Sequence, residues 1–287
     1  MATRPPHVLI TGGSRGIGLA IAQLFAKNAY RCTLIARSEE PLKNAVSSLH
    51  PLPKLASQTS SPTSDNIFQH SYIPGDITQQ THFWSSSASS PFGKHFPRPP
   101  SQSQNQTHPS RIDVLVNCAG ITQSSLFIKT SHEGLDSIVA TNLTAMMTGT
   151  RFLMRQGYLR GSPKRVGDEE KGEVGHVSPV VINVASLLGV SGGYGAVAYA
   201  ASKAGVLGFT RALAAEYASH WVRVNAIVPG YVTSDMTKDL DSETLRQRIP
   251  LGRFGTPEEI AQAALFLAQN EYAHNCVLNL DGGLSAV

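Results

Sequence analysis

Three observations predict a single α/β domain with a seven-stranded parallel sheet, doubly wound by helices on both faces. Short apolar runs alternate with stretches of helical periodicity along nearly the whole chain, the pattern of crossover units rather than hairpins. The first apolar run ends in Thr11-Gly12-Gly13-Ser14-Arg15-Gly16-Ile17-Gly18, a glycine-rich turn leading into a helix. A content of 41% hydrophobic and 15% charged residues in a chain of 287 suits one large core, not a disordered chain.

Taken in order, His7–Thr11 is the first strand. Ile17–Asn28 follows as a helix, with Ile17, Ala20, Ile21, Leu24 and Phe25 on one face. Arg31–Ala36 is the second strand, and a helix runs from there to about Leu49. Gln69–Ile73 is a weaker third strand before Gly75-Asp76, and Ile112–Val116 is the fourth. One long helix is expected from about Ser131 to Leu159, then a strand at Pro179–Val184 and a helix at Tyr199–Ser219. Val222–Val228 is the sixth strand. Pro257–Gln269 is a helix whose proline fits its first turn, and Cys276–Leu280 is the last strand.

Three stretches interrupt this rhythm: 51–66, 85–110 and 161–178. The second is the most biased, with Ser, Pro and Gln at 16 of its 26 positions. Such composition buries too little apolar surface to offset the entropy of ordering, so all three are expected to be mobile surface insertions.

The net charge of +4 comes from scattered basic residues without a Lys/Arg run, which argues against nucleic-acid binding and suits an anionic cofactor or an acidic carrier protein. Cys32, Cys118 and Cys276 show neither metal-ligand spacing nor a disulfide framework. Cys32 and Cys118 lie in strand-like runs and are expected to be buried free thiols in a reducing compartment. No apolar run reaches transmembrane length, and the residues before His7 leave no room for a cleavable presequence. The mitochondrial matrix and the cytoplasm are the expected compartments.

The chemistry rests on spacing. Tyr199 and Lys203 stand four residues apart and share a helix face, and Ser186 lies thirteen residues before the tyrosine at a strand end. A neighbouring ammonium favours the phenolate and makes the tyrosine a usable proton donor near neutral pH, while the serine hydrogen-bonds the same substrate oxygen. Gly12, Gly16 and Gly18 let a backbone approach a pyrophosphate at a helix N-terminus, which brings in a nicotinamide dinucleotide and the Rossmann arrangement. The second strand ends in Ala36-Arg37-Ser38, where an NAD site usually has an acid. Arg37 and Arg15 suit a 2′-phosphate instead, so NADP(H) is expected. Asp76 either accepts from the adenine amino group or caps its own loop. Asn117-Cys118-Ala119-Gly120 offers a backbone that passes under the adenine ribose. Pro229-Gly230 and Thr233 close the sixth strand beside the nicotinamide, and Asn142 either bends a buried helix or sits exposed on it.

Together these residues resemble the classical short-chain dehydrogenase/reductase family over all but the three insertions. The resemblance implies a catalytic tetrad of Asn142, Ser186, Tyr199 and Lys203, with Asn142 holding a water that links Lys203 to solvent. It adds Ser14, Ile17, Ser38, Ile77 and Val232 to the cofactor contacts. Within the family, Pro229-Gly230-Tyr231-Val232-Thr233 and Ile249-Pro250-Leu251-Gly252-Arg253-Phe254-Gly255 resemble the 3-oxoacyl-acyl-carrier-protein reductases, with features of the carbonyl reductase 4 branch. That implies reduction of a β-keto group to a hydroxyl. A carrier-docking basic residue is replaced by Ala215, before Glu216, although Arg155 and Arg160 offer other basic positions. This keeps two alternatives in play, an NADPH-dependent reductase of free carbonyls, quinones or polyketides, and a cofactor-binding structural subunit of a hetero-oligomer. Apolar faces on the helices near 131–159 and 199–219, together with the resemblance, imply a homotetramer or a mixed oligomer with a related reductase.

Overall fold

The computed structural model describes all of the chain except residues 1–3, 54–68, 97–109, 124, 162–177, 239 and 241–242. The sheet has strands β1 (His7–Thr11), β2 (Arg31–Ala36), β3 (Ser71–Pro74), β4 (Val114–Asn117), β5 (Val180–Val184), β6 (Arg223–Pro229) and β7 (Val277–Leu280). Their spatial order is β3-β2-β1-β4-β5-β6-β7, and all neighbours are parallel. This is the seven-stranded Rossmann sheet expected, with each strand within two or three residues of its predicted bounds.

Alternate residues of each strand feed opposite layers. Val8 and Ile10 pack with α1 (Gly16–Lys27) and α10 (Pro257–Gln269); Leu9 and Leu115 point the other way, with α6 (Ala145–Arg155). A capping box between Thr256 and Glu259, with Pro257 in the first turn, starts α10 as its sequence suggests. The long helix expected near 131–159 is instead α5 (His132–Val139), a π turn at Ala140–Thr144 and then α6. The bend falls on Asn142, which is 2% exposed. Helix α8 (Val197–Tyr217) packs across the same layer, and α2 (Glu39–Ser47), α3 (Gln80–Phe83) and α9 (Glu243–Gln247) are shorter.

Polar side chains pin the middle of the sheet to this layer. Asn117 at the end of β4 lies beside Asn183 of β5, and its Nδ2 donates to Asn183 Oδ1 at 2.8 Å and to Thr150 Oγ1 of α6 at 3.1 Å. Asn183 Nδ2 donates to Thr210 Oγ1 of α8 at 2.9 Å. All four residues are buried.

The expectation for 85–110 is corrected for the residues described there. Ser90 caps a short helix α4 (Pro91–His95), accepting from Gly93 N. Phe92 and Phe96 are buried with Phe83, Trp84 and Tyr158, and rings of this group meet Phe152 of α6. Those aromatic rings bury enough surface to order a Ser-rich segment that composition alone would leave loose. The segment is therefore part of the core up to Phe96, and exchanging the whole stretch for a flexible linker would remove core residues. Apart from Ser110, the rest of that stretch lies outside the described residues, as do most of 51–66 and 161–178.

The opposite end of the sheet holds a buried charge network. Asp113 takes a bidentate pair from Arg4, at 2.7 and 2.9 Å, and a hydrogen bond from His7 N at 2.7 Å. Arg31 Nη2 lies 2.7 Å from His7 Nδ1. A guanidinium only donates, so Nδ1 is the acceptor and Nε2–H donates to Thr33 Oγ1 at 2.8 Å. The approach of Nδ1 to the Arg111 carbonyl at 3.0 Å is then not a hydrogen bond. Burial, and next the Arg31 charge, hold the His7 imidazole neutral to well below its ordinary range. The unfolded chain takes up that proton below about pH 6.5 and the folded chain does not, so stability is lost as pH falls below that value. We expect the melting temperature to drop from pH 7.5 to 5.5, and to drop less in His7→Gln. Parallel profiles for the two proteins would show that another group is responsible.

Candidate active site

The site lies at the carboxyl ends of the strands, where the strand order reverses between β1 and β4. The turn from β1 into α1 makes two close approaches. Gly12 has φ +72°, and a Cβ there would sit 2.8 Å from the Ala119 backbone. At Gly18 a Cβ would meet Gly12 O at 2.3 Å. Only glycine fits at either place. Thr11 Oγ1 accepts from Cys118 N and Ala119 N at 3.2 and 3.3 Å, tying β1 to the turn after β4. No side chain caps the N-terminus of α1, so its first N–H groups stay free beside the glycine turn. This cradle fits a pyrophosphate, and the residues for a dinucleotide are present.

The remaining expected contacts divide. Arg37 and Ser38 are exposed at the end of β2, with no acidic side chain at Ala36 or Arg37. Ser14 and Ile17 are half-buried at the turn. Arg15 pairs with Asp235 at 3.2 Å, both side chains well exposed, so it already has a protein partner across the mouth of the cleft. Asp76 Oδ1 accepts from Thr78 N and Thr78 Oγ1 at 2.9 and 2.8 Å, which is the loop-capping alternative for that oxygen. Asn117 sends its side chain inward to Asn183, and Ile77 and Val232 bury theirs, so the side chains of these three are turned away from the cleft. Gly230 sits against Asp281, where a Cβ would meet the Asp281 Cα at 2.7 Å, and its N–H donates to Leu280 O. Thr233 N donates to Gly255 O beside an isolated bridge between Val232 and Gly255, which anchors the segment that follows β6.

Two of the catalytic candidates, Tyr199 and Lys203, share one face of α8 as their spacing predicts. Lys203 is 5% exposed; its Nζ donates to Val184 O at 2.8 Å and lies 5.8 Å from the Tyr199 ring centroid. Ser186 lies two residues beyond β5, and its Oγ accepts from Leu188 N at 3.2 Å as the chain turns into α7 (Leu188–Ser191). A Cβ on Gly120 would stand 3.3 Å from Asn142 Oδ1 and 3.5 Å from Lys203 Nζ, so the loop after β4 reaches the same point. Burial pushes the Cys118 thiol up to about 11, against the pull of the Lys203 charge, which leaves an inert thiol.

The Asn142 side chain is engaged by protein groups on both sides. Its Oδ1 accepts from Ile121 N at 2.8 Å, and its Nδ2 donates to Ile121 O at 3.0 Å and Ser202 Oγ at 3.0 Å. Ser202 Oγ in turn donates to Tyr199 O at 2.7 Å. Both amide hydrogens are used in fastening the catalytic helix to the loop after β4. Ser202 and Thr11 escaped the sequence reading. A serine between the Tyr and the Lys, and a threonine opening the glycine turn, were the available signals.

Two family sequence models match the chain: one described as short chain dehydrogenase, over residues 6–64, and one as enoyl-(acyl carrier protein) reductase, over 102–285. A human 3-oxoacyl-acyl-carrier-protein reductase is 34% identical over 97% of each chain. A Chlamydia muridarum protein of the same name is 35% identical over 96% of each chain, and a carbonyl reductase family member 4 of Xenopus laevis is 31% identical over the same share. The NADP-bound crystal structure of an Agrobacterium tumefaciens protein, described as a 2-deoxy-D-gluconate 3-dehydrogenase, superposes with a TM-score of 0.72 at 28% identity, covering 98% of this chain and 97% of that one. The glycine cradle, the Tyr199–Lys203 pair and these matches along the whole chain have one reading: the chain belongs to the short-chain dehydrogenase/reductase family.

Proposed function

We propose that the chain reduces a β-keto group to a hydroxyl with NADPH, as a 3-oxoacyl-acyl-carrier-protein reductase. The observation that carries this is Lys203 Nζ, buried between the Tyr199 ring and the Val184 carbonyl at the strand ends. That placement puts a cationic side chain beside the phenol that would give its proton to the substrate oxygen. When bound, the cofactor supplies the hydride. Ser186 and Tyr199 receive the carbonyl oxygen where negative charge develops, and Tyr199 delivers the proton. The glycine turn holds the pyrophosphate. Arg37, exposed and with no acid beside it, takes a 2′-phosphate, and Arg15 joins it by leaving Asp235. The names of the relatives support the carrier-bound substrate, and exposed Arg155 and Arg160 supply positive charge for an acidic carrier despite Ala215. The second reading, a reductase of free carbonyls or quinones, is favoured by exposed Leu126, Phe127 and Ile128 and by Ala215 itself.

The reading includes a homotetramer, or a mixed oligomer with a related reductase, in the mitochondrial matrix or cytoplasm. Of the apolar residues expected on the helix faces, Ala145, Met146, Val206 and Leu207 are buried within the chain itself. The outward face of α8 carries the small residues Ala201, Ala204, Gly208, Ala212 and Ala215 beside the exposed charges of Arg211 and Glu216, and the small ones suit close helix pairing. Among the described residues no helix is long and apolar enough to cross a membrane.

Steady-state kinetics on acetoacetyl thioesters of carrier protein and coenzyme A, beside a quinone, tests the substrate. Tyr199→Phe should cut turnover at least about a hundredfold while NADPH still binds; near-normal turnover in the purified variant removes Tyr199 as the donor. Arg37→Asp should raise the Kd for NADPH far more than that for NADH, because a carboxylate repels the 2′-phosphate. An unchanged ratio of the two constants means that Arg37 does not meet it. Light scattering at micromolar concentration should give about four times the 30.7 kDa chain mass; the single-chain mass refutes the assembly.

A further inference from the structure

Helix α8 carries Tyr199 in its first turn, where backbone N–H groups lack partners within the helix. The residue in position to cap it is Ala196, which has no side chain for the purpose. Gln123, from the connection between β4 and α5, takes over that function. Its Oε1 accepts from Ala198 N at 2.8 Å and from Tyr199 N at 3.4 Å. Its Nε2 donates to Ser125 O at 2.7 Å, which decides which end of the amide faces the helix.

The same connection grips the helix a second time. Ile121 holds Asn142 through both its backbone groups, Asn142 holds Ser202, and Ser202 holds Tyr199 O. The N–H of Tyr199 is thus bound by Gln123 and its carbonyl by the Ile121–Asn142–Ser202 chain. Both ties lead back to residues 121–123, which continue into the exposed apolar Leu126, Phe127 and Ile128.

We propose that Gln123 is a positioning residue for proton transfer: it caps the catalytic helix from outside and sets the Tyr199 backbone relative to the loop at the mouth of the site. The proposal rests on the reductase reading for its kinetic consequences and on the structure alone for the cap. A small displacement of a proton donor is enough to lower turnover without changing ground-state binding.

Gln123→Met keeps the length of the side chain and removes both hydrogen-bonding groups. In this variant kcat for NADPH-dependent reduction should fall at least about tenfold, while the KM of the ketone moves less than about threefold and the Kd for NADPH by calorimetry stays put. Hydrogen exchange at the amides of Ala198 and Tyr199 should accelerate. Gln123→Glu keeps an acceptor for those amides, so kcat at its optimum should remain within about threefold of the parent. The added carboxylate disfavours phenolate, so the midpoint of the kcat–pH profile should move upward. Parent-like kcat or unchanged exchange in Gln123→Met overturns the proposal, as does a kcat loss matched by lost NADPH affinity. If Gln123→Met does not fold, an unmoved pH midpoint in Gln123→Glu overturns it. If the parent protein reduces no ketone, the reductase reading fails, and the exchange at Ala198 and Tyr199 still decides whether Gln123 caps the helix.

Discussion

The hydrogen bond between Asn117 and Asn183 is the contact on which the working half of the molecule depends. It joins the two central strands, and through Thr150 and Thr210 it fastens them to α6 and α8. An apolar sheet specifies burial but tolerates slippage between layers. A buried amide does not, because a shift that leaves it unpaired costs about 1–3 kcal/mol per group. Strand register, helix position and hence the placement of Lys203 near Val184 O follow from satisfying those few side chains.

From this anchor the site is assembled by backbone capture. Thr11 binds the turn after β4, Asn142 binds the next residues of that connection, and Ser202 passes the tie on to Tyr199. The π turn at Ala140–Thr144 lies where Asn142 is used, in keeping with the habit of such turns to mark functional positions. Loop, sheet and helix α8 are therefore tied into one framework around Tyr199.

Much of this was legible in the sequence. Parallel strands buried on both faces show as apolar runs, and Gly12, Gly16, Gly18, Ser186, Tyr199 and Lys203 are recognisable because their chemistry demands fixed spacing. Side-chain direction was not legible: Asn117 sits in the expected motif yet turns into the core, and Asp76 turns to Thr78. Gln123 was invisible because a side chain that captures a distant backbone group obeys no period, and Thr11 and Ser202 showed their places beside the motifs but not what they bind. The segment around α4 was misjudged for a different reason. Its serines and prolines dominate the composition, while its fold depends on Phe92 and Phe96, which find Trp84 and Tyr158 only in three dimensions.

The aromatic cluster also divides the intrinsic fluorescence of the protein. The chain has two tryptophans. Trp84 is 6% exposed among phenylalanine rings, in contact with Gly149 of α6, whereas Trp221 is 48% exposed where the chain enters β6 at the far end of the sheet. Their emission maxima are accordingly expected to separate, blue for the first and red for the second. A single spectrum thus carries two reporters, one of the docking of α4 on the core and one of the base of the sheet. Each can be followed without a label.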